Sequence, residues 1–567
     1  MALLNILIGG ESFREIRERS CCYIDKTTLL EEFFRTTPPK VSLITRPRRF
    51  GKTLCLTMLQ EFFDIQKDSR AIFEGLAVMR QVELCRTEMN RYPTLFLSFK
   101  DVEGRSYALA CEKMANVLSE ICIAHSYLFT SPVIDPDDKK RLQRIKSGEG
   151  SEKDLTNCLR LLCRVLQTHW GRPVILLIDE YDVPLNNAEQ NDFYQEMIGF
   201  LRDLLGSALK TNPFLHFAIL TGCIRLAKES IFTGLNNFMC YSISDTEFAD
   251  KFGFTEDEVD GILYSAGLSE KKREVKEWYD GYRFGTNTEI YCPWDILTHV
   301  AKLQKNYQAS PQTYWNNTSG NAIVKTLITQ ASQETQRKIE QLLAGQAIEE
   351  TLSEELTYDL VYENENNLWS MLYSTGYLTK AQKQSNNGTT ALILPNKEIR
   401  KIFMTTVAAW FQESLKKQDL SMLVAALWNG ACAEIQTILT RILYETISYY
   451  DSAETFYHGF LAGILRGAGL VLQSNRESGL GRTDILIEDG QKKRALIIEL
   501  KHAASYEQLR QQAENALSQI DQKAYAKGLP PQIQMILKYG IAFWKKECWV
   551  SIHRENGRSR AAIAPAH

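Results

Sequence analysis

The amino-acid sequence predicts an α/β fold in three parts: a doubly wound parallel sheet, a mainly helical middle region and a carboxy-terminal α+β domain. Three observations lead to this prediction. At 567 residues the chain is too long for a single ordinary core. Apolar strand patterns alternate with helical ones over residues 1–244, which is typical of a parallel sheet. Helical patterns and aromatic motifs fill residues 245–452, and strands flank a helix in residues 453–555, ahead of a tail at 556–567.

The first region contains four predicted strands, in the runs KVSLIT, YPTLFLSF, PVILLIDEYDVPL and FLHFAILTGC. A helix with one apolar face begins near Asp25 or Thr27, and these residues either cap that helix or approach a ligand. Further helices are predicted for TLCLTMLQEFFD, Ala108–Ile123 and Asp192–Leu209. A polar segment lies near Asp135–Asp154.

The middle region is marked by the aromatic motifs EWYDGYRFG, YCPWDIL, TYWNNTSGN and LWSMLYSTGYLT. We expect them to fill helix junctions rather than to stack on nucleic-acid bases. A hairpin is predicted with its turn at Asn386-Asn387-Gly388. The last region reads as the helix FYHGFLAGILRGAG, two strands in TDILIEDGQKKRALIIELKHA, the helix Ser505–Lys527, and the strands YGIAF and CWVSIH.

Composition places the chain among ordinary globular proteins, with 44% hydrophobic and 24% charged residues. The net charge is only −3, so nucleic-acid binding would depend on a local basic patch. Thirteen cysteines without C-x-x-C pairs indicate reduced thiols. The amino terminus lacks a secretory signal, and no apolar window reaches membrane length, so we expect a soluble cytoplasmic protein without a membrane partner.

The stretch VSLITRPRRFGKTLCLTMLQ predicts a strand, a basic loop and a helix. Gly51, Lys52 and Thr53 suit a phosphate loop, in which the lysine reaches the β- and γ-phosphates and the threonine binds Mg²⁺. Arg46 stands where the usual pattern G-x-x-x-x-G-K-[ST] has its first glycine. The alternative is a basic strand-to-helix turn with a chance Gly-Lys-Thr.

A second group of polar residues follows the later strands. VILLIDEYD ends in Asp179 and Glu180, of which the first suits the magnesium shell and the second suits activation of a water. An acidic pair on the surface is the alternative. Thr221 ends the next strand, and Arg225 either touches the γ-phosphate or is solvated. Strand ends of this kind meet at the ligand crevice of a doubly wound sheet.

A third group lies in the carboxy-terminal hairpin. If this hairpin turns symmetrically between Glu488 and Ala495, Asp484 pairs across the strands with Glu499, at a Cβ separation of about 5 Å. Lys501 then points to the same face as Glu499. Two carboxylates and a lysine suit metal-dependent phosphodiester hydrolysis. The alternative is an exposed strand end.

Four stretches make a resemblance specific: IGGESFREIRERSCCYIDKT, RPRRFGKTL, LIDEYDVPL and LTGCIRLAKESIFTGLNN. They resemble the AAA-ATPase-like family that is usually joined to a carboxy-terminal nuclease domain of the PD-(D/E)XK superfamily. In that family RPRRFGK[ST] is the ordinary form of the loop. The resemblance therefore implies a P-loop sheet of the additional-strand, catalytic-glutamate type and a restriction-endonuclease-like last domain.

The resemblance also implies roles for particular residues. It implies that ATP is bound by Arg49, Phe50, Gly51, Lys52, Thr53, Leu54, Asp179, Thr221 and Arg225. Implied metal ligands are Thr53 and Asp179 in the first site, with Asp484, Glu499 and Glu454 in the second. Implied catalytic residues are Glu180, Asp484, Glu499 and Lys501. For Glu454 a solvated glutamate at a helix start is the alternative, and Gln519 and Tyr525 match a Gln and a Tyr that related nucleases keep.

The expected function is that of an ATPase with a metal-dependent nuclease domain that cuts nucleic acid, with DNA favoured. The expected cofactors are ATP and Mg²⁺, with Mn²⁺ as an alternative, and a homo-oligomer is a further expectation. By association, such chains suit mobile-element or anti-phage defence. A nucleotide-dependent switch or scaffold, and an ATPase with a non-cleaving DNA-binding domain, are the alternatives. Arg46, Arg48 and Arg49 could hold phosphate, a neighbouring subunit or nucleic acid.

Overall fold

The structure is a computed structural model, and it describes residues 3–225, 231–232, 238–286, 288–315, 332–353, 356, 365–382, 388–415, 420–446, 454–478 and 481–556. The chain divides into two compact units. The first comprises Met1–Thr318 with Glu349–Ile399, and the second comprises Ser319–Ile348 with Arg400–His567. The predicted division at residues 244 and 452 remains a proposal.

The amino-terminal elements alternate between helices and strands. In chain order they are α1 (Phe13–Glu18), α2 (Thr28–Phe34), β1 (Val41–Thr45), α3 (Lys52–Phe63), α4 (Arg70–Phe73), α5 (Val82–Glu88), β2 (Thr94–Ser98), α6 (Tyr107–Ala124), α7 (Pro136–Lys146), α8 (Glu152–Thr156), α9 (Cys158–Trp170), β3 (Val174–Asp179), α10 (Val183–Gln190), α11 (Tyr194–Leu209), β4 (Leu215–Gly222) and β5 (Phe238–Tyr241).

The five strands form one parallel sheet in the order β2-β3-β4-β1-β5. Every residue of β1 and of β3 is buried, because helices cover both faces of a parallel sheet. One face packs Ile44, Ile175 and Ile219 against apolar residues of α2 and α3. The predicted doubly wound parallel sheet is confirmed, and β4 lies between β1 and β3 as in the additional-strand arrangement.

The segment near Asp135–Asp154, which was predicted only as polar, contains α7. The side chain of Asp135 accepts a hydrogen bond from the Asp137 N–H, and Pro136 occupies the first helical position. Leu142 and Ile145 are the buried residues of this otherwise charged helix. Two apolar residues in eleven were too weak a pattern for the periodicity to be recognised.

The middle elements are α12 (Glu256–Ser265), α13 (Lys272–Tyr279), β6 (Tyr282–Phe284), β7 (Thr288–Ile290), α14 (Pro293–Lys305), α15 (Gln333–Leu343), β8 (Ile348–Glu350), α16 (Glu365–Ser374), β9 (Thr379–Lys380), β10 (Thr390–Ile393) and α17 (Lys397–Leu415). Strands β9 and β10 are antiparallel, as predicted for the hairpin, and Gly388 has φ +76°. Asn386 and Asn387 of its predicted turn lie outside the described residues. The aromatic motifs are largely buried, including Tyr279, Tyr282 and Trp369.

The last elements are α18 (Ser421–Asn429), α19 (Cys432–Thr446), α20 (Glu454–Gly467), β11 (Leu472–Ser478), β12 (Gly481–Asp489), β13 (Arg494–His502), α21 (Leu509–Gln522), β14 (Met535–Trp544) and β15 (Glu547–Asn556). The five strands form a mixed sheet in chain order, in which only β13 and β14 run parallel. Helix α21 crosses this sheet at Gly540, where an added Cβ atom would lie 2.0 Å from the Ala513 carbonyl oxygen. The predicted α+β domain is confirmed.

Within the part of the chain that the structure describes, no helix has the length and apolar character needed to cross a membrane. All thirteen cysteines are described, and none of them takes part in a disulfide bond.

Candidate functional site

The loop between β1 and α3, here called the 46–51 loop, ends at Gly51. Gly51 caps α3 with φ +86°, a conformation that favours glycine. The first backbone N–H groups of a helix have no partner within the helix, so those of Lys52, Thr53 and Leu54 face the loop. An anion held there would meet these donors and the positive end of the helix dipole. The Leu54 side chain packs against the core below.

Lys52 is buried, and its amino group is directed back across the loop. It lies 3.0 Å from both the Arg46 and the Pro47 carbonyl oxygens, and 3.7 Å from the Cys223 sulfur. The positive charge of Lys52 is thus held by backbone carbonyl oxygens of the loop rather than by a carboxylate. Such an arrangement leaves the cation close to any phosphate that the loop holds.

Asp179, at the end of β3, connects three elements. Its Oδ2 atom accepts a hydrogen bond of 2.7 Å from Thr53 of α3, and its Oδ1 atom accepts one of 2.6 Å from Thr221 of β4. Both Asp179 and Thr221 are completely buried. The parallel order of β1, β4 and β3 places these side chains together, because the carboxyl ends of parallel strands share one edge.

Glu180 follows directly with φ +52°, which is unusual for a residue with a side chain. Burial raises the pKa of this carboxyl, the Lys52 charge lowers it, and the charges of Asp179 and Asp182 raise it further. Glu180 therefore lies in the same electrostatic site as Lys52. A carboxyl with a raised pKa beside a phosphate site suits proton abstraction from water.

Tyr181 and Asp182 complete the LIDEYD motif, and sequence reasoning assigned them no role. Asp182 accepts hydrogen bonds from the Cys223 and Ile224 N–H groups, at 2.9 and 3.2 Å. The Tyr181 hydroxyl donates to the Ile224 carbonyl at 2.9 Å. These bonds fix the turn after Thr221. Arg225 follows this turn and is half-buried. Its carbonyl oxygen accepts a hydrogen bond from the Leu356 N–H. The contact of its side chain with phosphate remains a prediction.

Arg46 is completely buried and does not extend toward the ligand crevice. Its guanidinium donates to the carbonyl oxygens of four residues at 2.8–3.4 Å, namely Thr45, Tyr241, Glu247 and Phe248. It also lies over the rings of Phe252 and Phe284, at 5.2 and 5.6 Å. Burial lowers its pKa to about 10. Arg46 therefore holds neither phosphate nor nucleic acid, but joins the loop to the segment after β5.

Arg49 and Phe50 are also turned into the protein. Arg49 donates to the Tyr314 carbonyl at 2.6 Å, and its guanidinium lies 4.3 Å from the Trp294 ring centroid. Phe50 is completely buried, 5.1 Å from the Tyr282 ring in an edge-to-face arrangement. The side chains of Arg49 and Phe50 thus hold the loop against the rest of the protein. If these two residues contact a nucleotide, they would do so through their backbone N–H groups. Arg48 is half-buried and contributes positive charge near Glu180.

In the second unit, β12 and β13 pair in the predicted register, with Ile485 opposite Ile498 and Glu488 opposite Ala495. The pairing ends at Ile485 with Ile498, and Asp484 and Glu499 are the residues just beyond this last pair. The Asp484 Oδ2 atom accepts a hydrogen bond of 2.9 Å from the Leu500 N–H. The carboxylate is thereby fixed at the peptide that joins Glu499 to Leu500.

Glu499 is nearly fully buried and accepts a hydrogen bond from the Gln519 side-chain amide on α21. The pKa of Tyr525 responds to the same residues. Burial raises this pKa, and a hydrogen bond with Gln519 lowers it. The charges of Glu499 and Asp484 raise it further, and the charge of Lys501 lowers it. We call Asp484, Glu499 and Lys501 the hairpin site. Gln519 and Tyr525 adjoin it.

Helix α20 adds one residue that the sequence did not suggest. His458 Nε2 donates to the Asp484 carbonyl at 2.9 Å, and so fixes the backbone beneath the hairpin site. It lies one helical turn after Glu454, which could have drawn attention to it. The side chain of Glu454 lies outside the described residues.

The donor set of the hairpin site fits a hard divalent cation. Carboxylate oxygens from Asp484 and Glu499 are the ligands that Mg²⁺ prefers, and Mg²⁺ commonly takes one or two carboxylates together with water and substrate phosphate. Within the described residues no group of three or more Asp, Glu, His or Cys side chains forms a closed metal cage. Two carboxylates with open positions match catalysis better than structural metal binding.

Comparison with known proteins gives two family matches. Residues 7–232 match a family described as "Predicted AAA-ATPase", and residues 452–552 match the PD-(D/E)XK nuclease superfamily. The chain is also 27% identical over 394 residues to a protein from Azotobacter chroococcum mcd 1 described as "Uncharacterized protein in vnfD 5'region". That match covers 68% of this chain and 66% of the relative, which is less than two thirds of the relative's length. The chain therefore carries an AAA-ATPase-like domain followed by a domain of the PD-(D/E)XK nuclease superfamily, and both are hydrolase families.

Proposed function

We propose that the protein hydrolyses ATP at the 46–51 loop and cuts nucleic acid, with DNA favoured, at the hairpin site, and that Mg²⁺ serves both sites. The observation that carries the proposal is the β12–β13 register together with the hydrogen bond from the Leu500 N–H to Asp484, which holds that carboxylate at the Glu499–Leu500 peptide. The residues of the loop support the ATPase half, because Thr53 and Thr221 meet on Asp179.

At the loop, the N–H groups at the start of α3 and the Lys52 amino group would bind the phosphates of ATP. Thr53 and Asp179 would hold the metal ion, and Glu180 would take the proton of the attacking water. Thr221 orients Asp179 through its hydrogen bond. Arg225 would contact the γ-phosphate.

At the hairpin site, Asp484 and Glu499 would hold the metal ion, and Glu454 would join them. A bound Mg²⁺ supplies charge stabilisation for the pentavalent phosphate and acidifies a water molecule. Lys501 would position that water, while Gln519 keeps the Glu499 carboxylate in place. Mn²⁺ has the same preference for oxygen ligands and would substitute for Mg²⁺.

The remaining parts of the proposal rest on resemblance. We propose a cytoplasmic protein that assembles as a homo-oligomer and acts in mobile-element or anti-phage defence. Two other functions compete: a nucleotide-dependent switch or scaffold without turnover, and an ATPase whose last domain binds DNA without cutting it. The intact acidic residues of both sites argue against the first, and Lys501, two residues after Glu499 in the sequence, argues against the second.

One experiment separates the three. Purified full-length protein is incubated with single- and double-stranded DNA and RNA, with Mg²⁺ or Mn²⁺, and with or without ATP, beside Lys52→Ala and Glu499→Ala. The proposal expects cutting by wild type, loss of cutting in Glu499→Ala with ATP turnover kept, and loss of turnover in Lys52→Ala. ATP turnover without cutting of any polymer supports the non-cleaving ATPase, and nucleotide binding without turnover supports the switch.

A further inference from the structure

The Arg49 backbone has φ +69°, a left-handed conformation that non-glycine residues rarely adopt. This dihedral sets the direction of the N–H groups that follow it in the 46–51 loop. A residue in such a conformation persists only when its surroundings hold it there. Contacts with other residues must therefore keep the Arg49 backbone in this conformation.

The direct contacts come from the aromatic motifs of the middle region. The Arg49 guanidinium stacks on Trp294 and donates to the Tyr314 carbonyl, while the Cys292 thiol lies 3.7 Å from the Arg49 carbonyl oxygen. All of these residues belong to the first compact unit. Arg49 is thus held at its side chain and at its backbone.

Behind these contacts lie two carboxyl groups that the proposed chemistry does not use. Asp295 is in the first turn of α14, Glu398 is in the first turn of α17, and both are completely buried. Glu398 accepts hydrogen bonds from the Tyr314 N–H and, at 2.9 Å, from the Trp315 N–H. The backbone at residues 314–315 therefore accepts a hydrogen bond from Arg49 through the Tyr314 carbonyl and donates two hydrogen bonds to Glu398 through its N–H groups.

The charges of this group are linked. Burial raises the pKa of both carboxyls, and the Arg49 charge lowers both. Glu398 raises the pKa of Asp295 further, whereas the hydrogen bond with Asp295 lowers the pKa of Glu398. The pair shares a hydrogen bond, so at least one of the two carboxyls carries a proton. The two backbone N–H groups that donate to Glu398 favour its ionised form, and so favour Asp295 as the partner that carries the proton.

We infer that Asp295 and Glu398 are positioning residues for the nucleotide reaction, and that they hold Arg49, and through it the 46–51 loop, in the shape that binds phosphate. The inference rests on the proposed ATP site and adds to it the middle-region residues that shape it. Because the two carboxyls share a hydrogen bond, their effects on nucleotide binding are coupled.

The test is a double-mutant cycle in the full-length protein with Asp295→Asn, Glu398→Gln and the double variant, using a fluorescent ATP analogue to measure Kd. Each single change is expected to raise Kd about threefold, and the double change about thirtyfold, beyond the ninefold product of independent effects. Residues that only fill space would give no such coupling. ATP turnover measured in parallel should show a larger change in KM than in kcat.

The matched control is Glu256→Gln with Asp260→Asn, which removes the same two charges from half-exposed positions on α12 that pair with Lys272. It should bind the analogue as wild type does. Arg49→Lys keeps the charge but loses the stacked, forked contact, and is expected to raise Kd about tenfold, so the inference stays testable if the double variant does not fold.

The outcomes separate the two claims. If wild type binds no nucleotide, the proposed ATP site is wrong. If wild type binds and the two single effects multiply without coupling, or Arg49→Lys binds as wild type does, the positioning role is wrong while the ATP site stands.

Discussion

The Thr53 hydroxyl lies 2.7 Å from Asp179 Oδ2, which joins the first turn of α3 to the end of β3. Thr53→Ala removes this bond and the hydroxyl that would hold the metal ion. We expect ATP hydrolysis to fall by at least about 100-fold. Phosphate release at saturating ATP measures the effect, and Thr53→Ser, which keeps the hydroxyl, should retain most of the activity. Full turnover in Thr53→Ala would contradict this assignment.

The raised pKa of Glu180 predicts how the rate of ATP hydrolysis depends on pH. A general base works only when it is ionised, and burial raises the pKa of this carboxyl. The rate of ATP hydrolysis should therefore fall as pH falls through the raised pKa, at a higher pH than the ordinary glutamate value of about 4.3. Glu180→Gln should bind ATP but lose about 10²–10⁴-fold in kcat. An acid limb that persists in any residual activity of Glu180→Gln would assign the titration to another group.

Gln519 predicts a loss of cutting without a change in ATP turnover. Its amide holds the Glu499 carboxylate, so Gln519→Ala frees a metal ligand to rotate. Nuclease activity should fall about 10–100-fold, as is usual when a partner of a metal ligand is removed. The comparison is Gln511→Ala, at an exposed position on the same helix where the side-chain amide donates to Asn515. Equal nuclease rates in the two variants would refute the role of Gln519.

The buried contacts of Arg46 predict that replacing it with the usual glycine lowers the stability of the protein. Arg46→Gly restores the general pattern at the first loop position, yet it leaves the buried carbonyls of Tyr241 and Phe248 without their donor. We expect it to lower the free energy of unfolding by about 3–5 kcal/mol. Arg35→Gly, at the exposed end of α2, should cost less than about 1 kcal/mol. Chemical unfolding of both variants decides the point, and equal stabilities would contradict it.

Local patterns were enough to predict the parts of the sites that lie on regular elements. The symmetric polar turn predicted the β12–β13 register as far as Ile485 and Ile498. The pairing of Asp484 with Glu499 just beyond it stays a prediction. Alternating strands and helices predicted that Thr53, Asp179 and Thr221 would share one sheet edge. In each case a side chain's position follows from the strand or helix that carries it.

Other features depend on partners far along the chain, which a single sequence does not reveal. Arg46 is held by carbonyls about 200 residues away, and a backbone carbonyl leaves no trace in the residue type that carries it. The same is true of His458, whose partner is the Asp484 carbonyl. The aromatic motifs were noticed, but nothing in their composition indicated that Trp294 and Tyr314 would hold Arg49.

The dispersed contacts of the 46–51 loop bear on how the protein is made. Arg46 needs the backbone at 247–248, Arg49 needs Tyr314, and a Cβ atom added to Gly376 would lie 3.0 Å from Pro47. During synthesis the strand and helix on either side of the loop emerge more than 300 residues before Gly376 does. Closing such long loops is slow. A nascent chain therefore acquires the native shape of this loop late, after the middle region has left the ribosome.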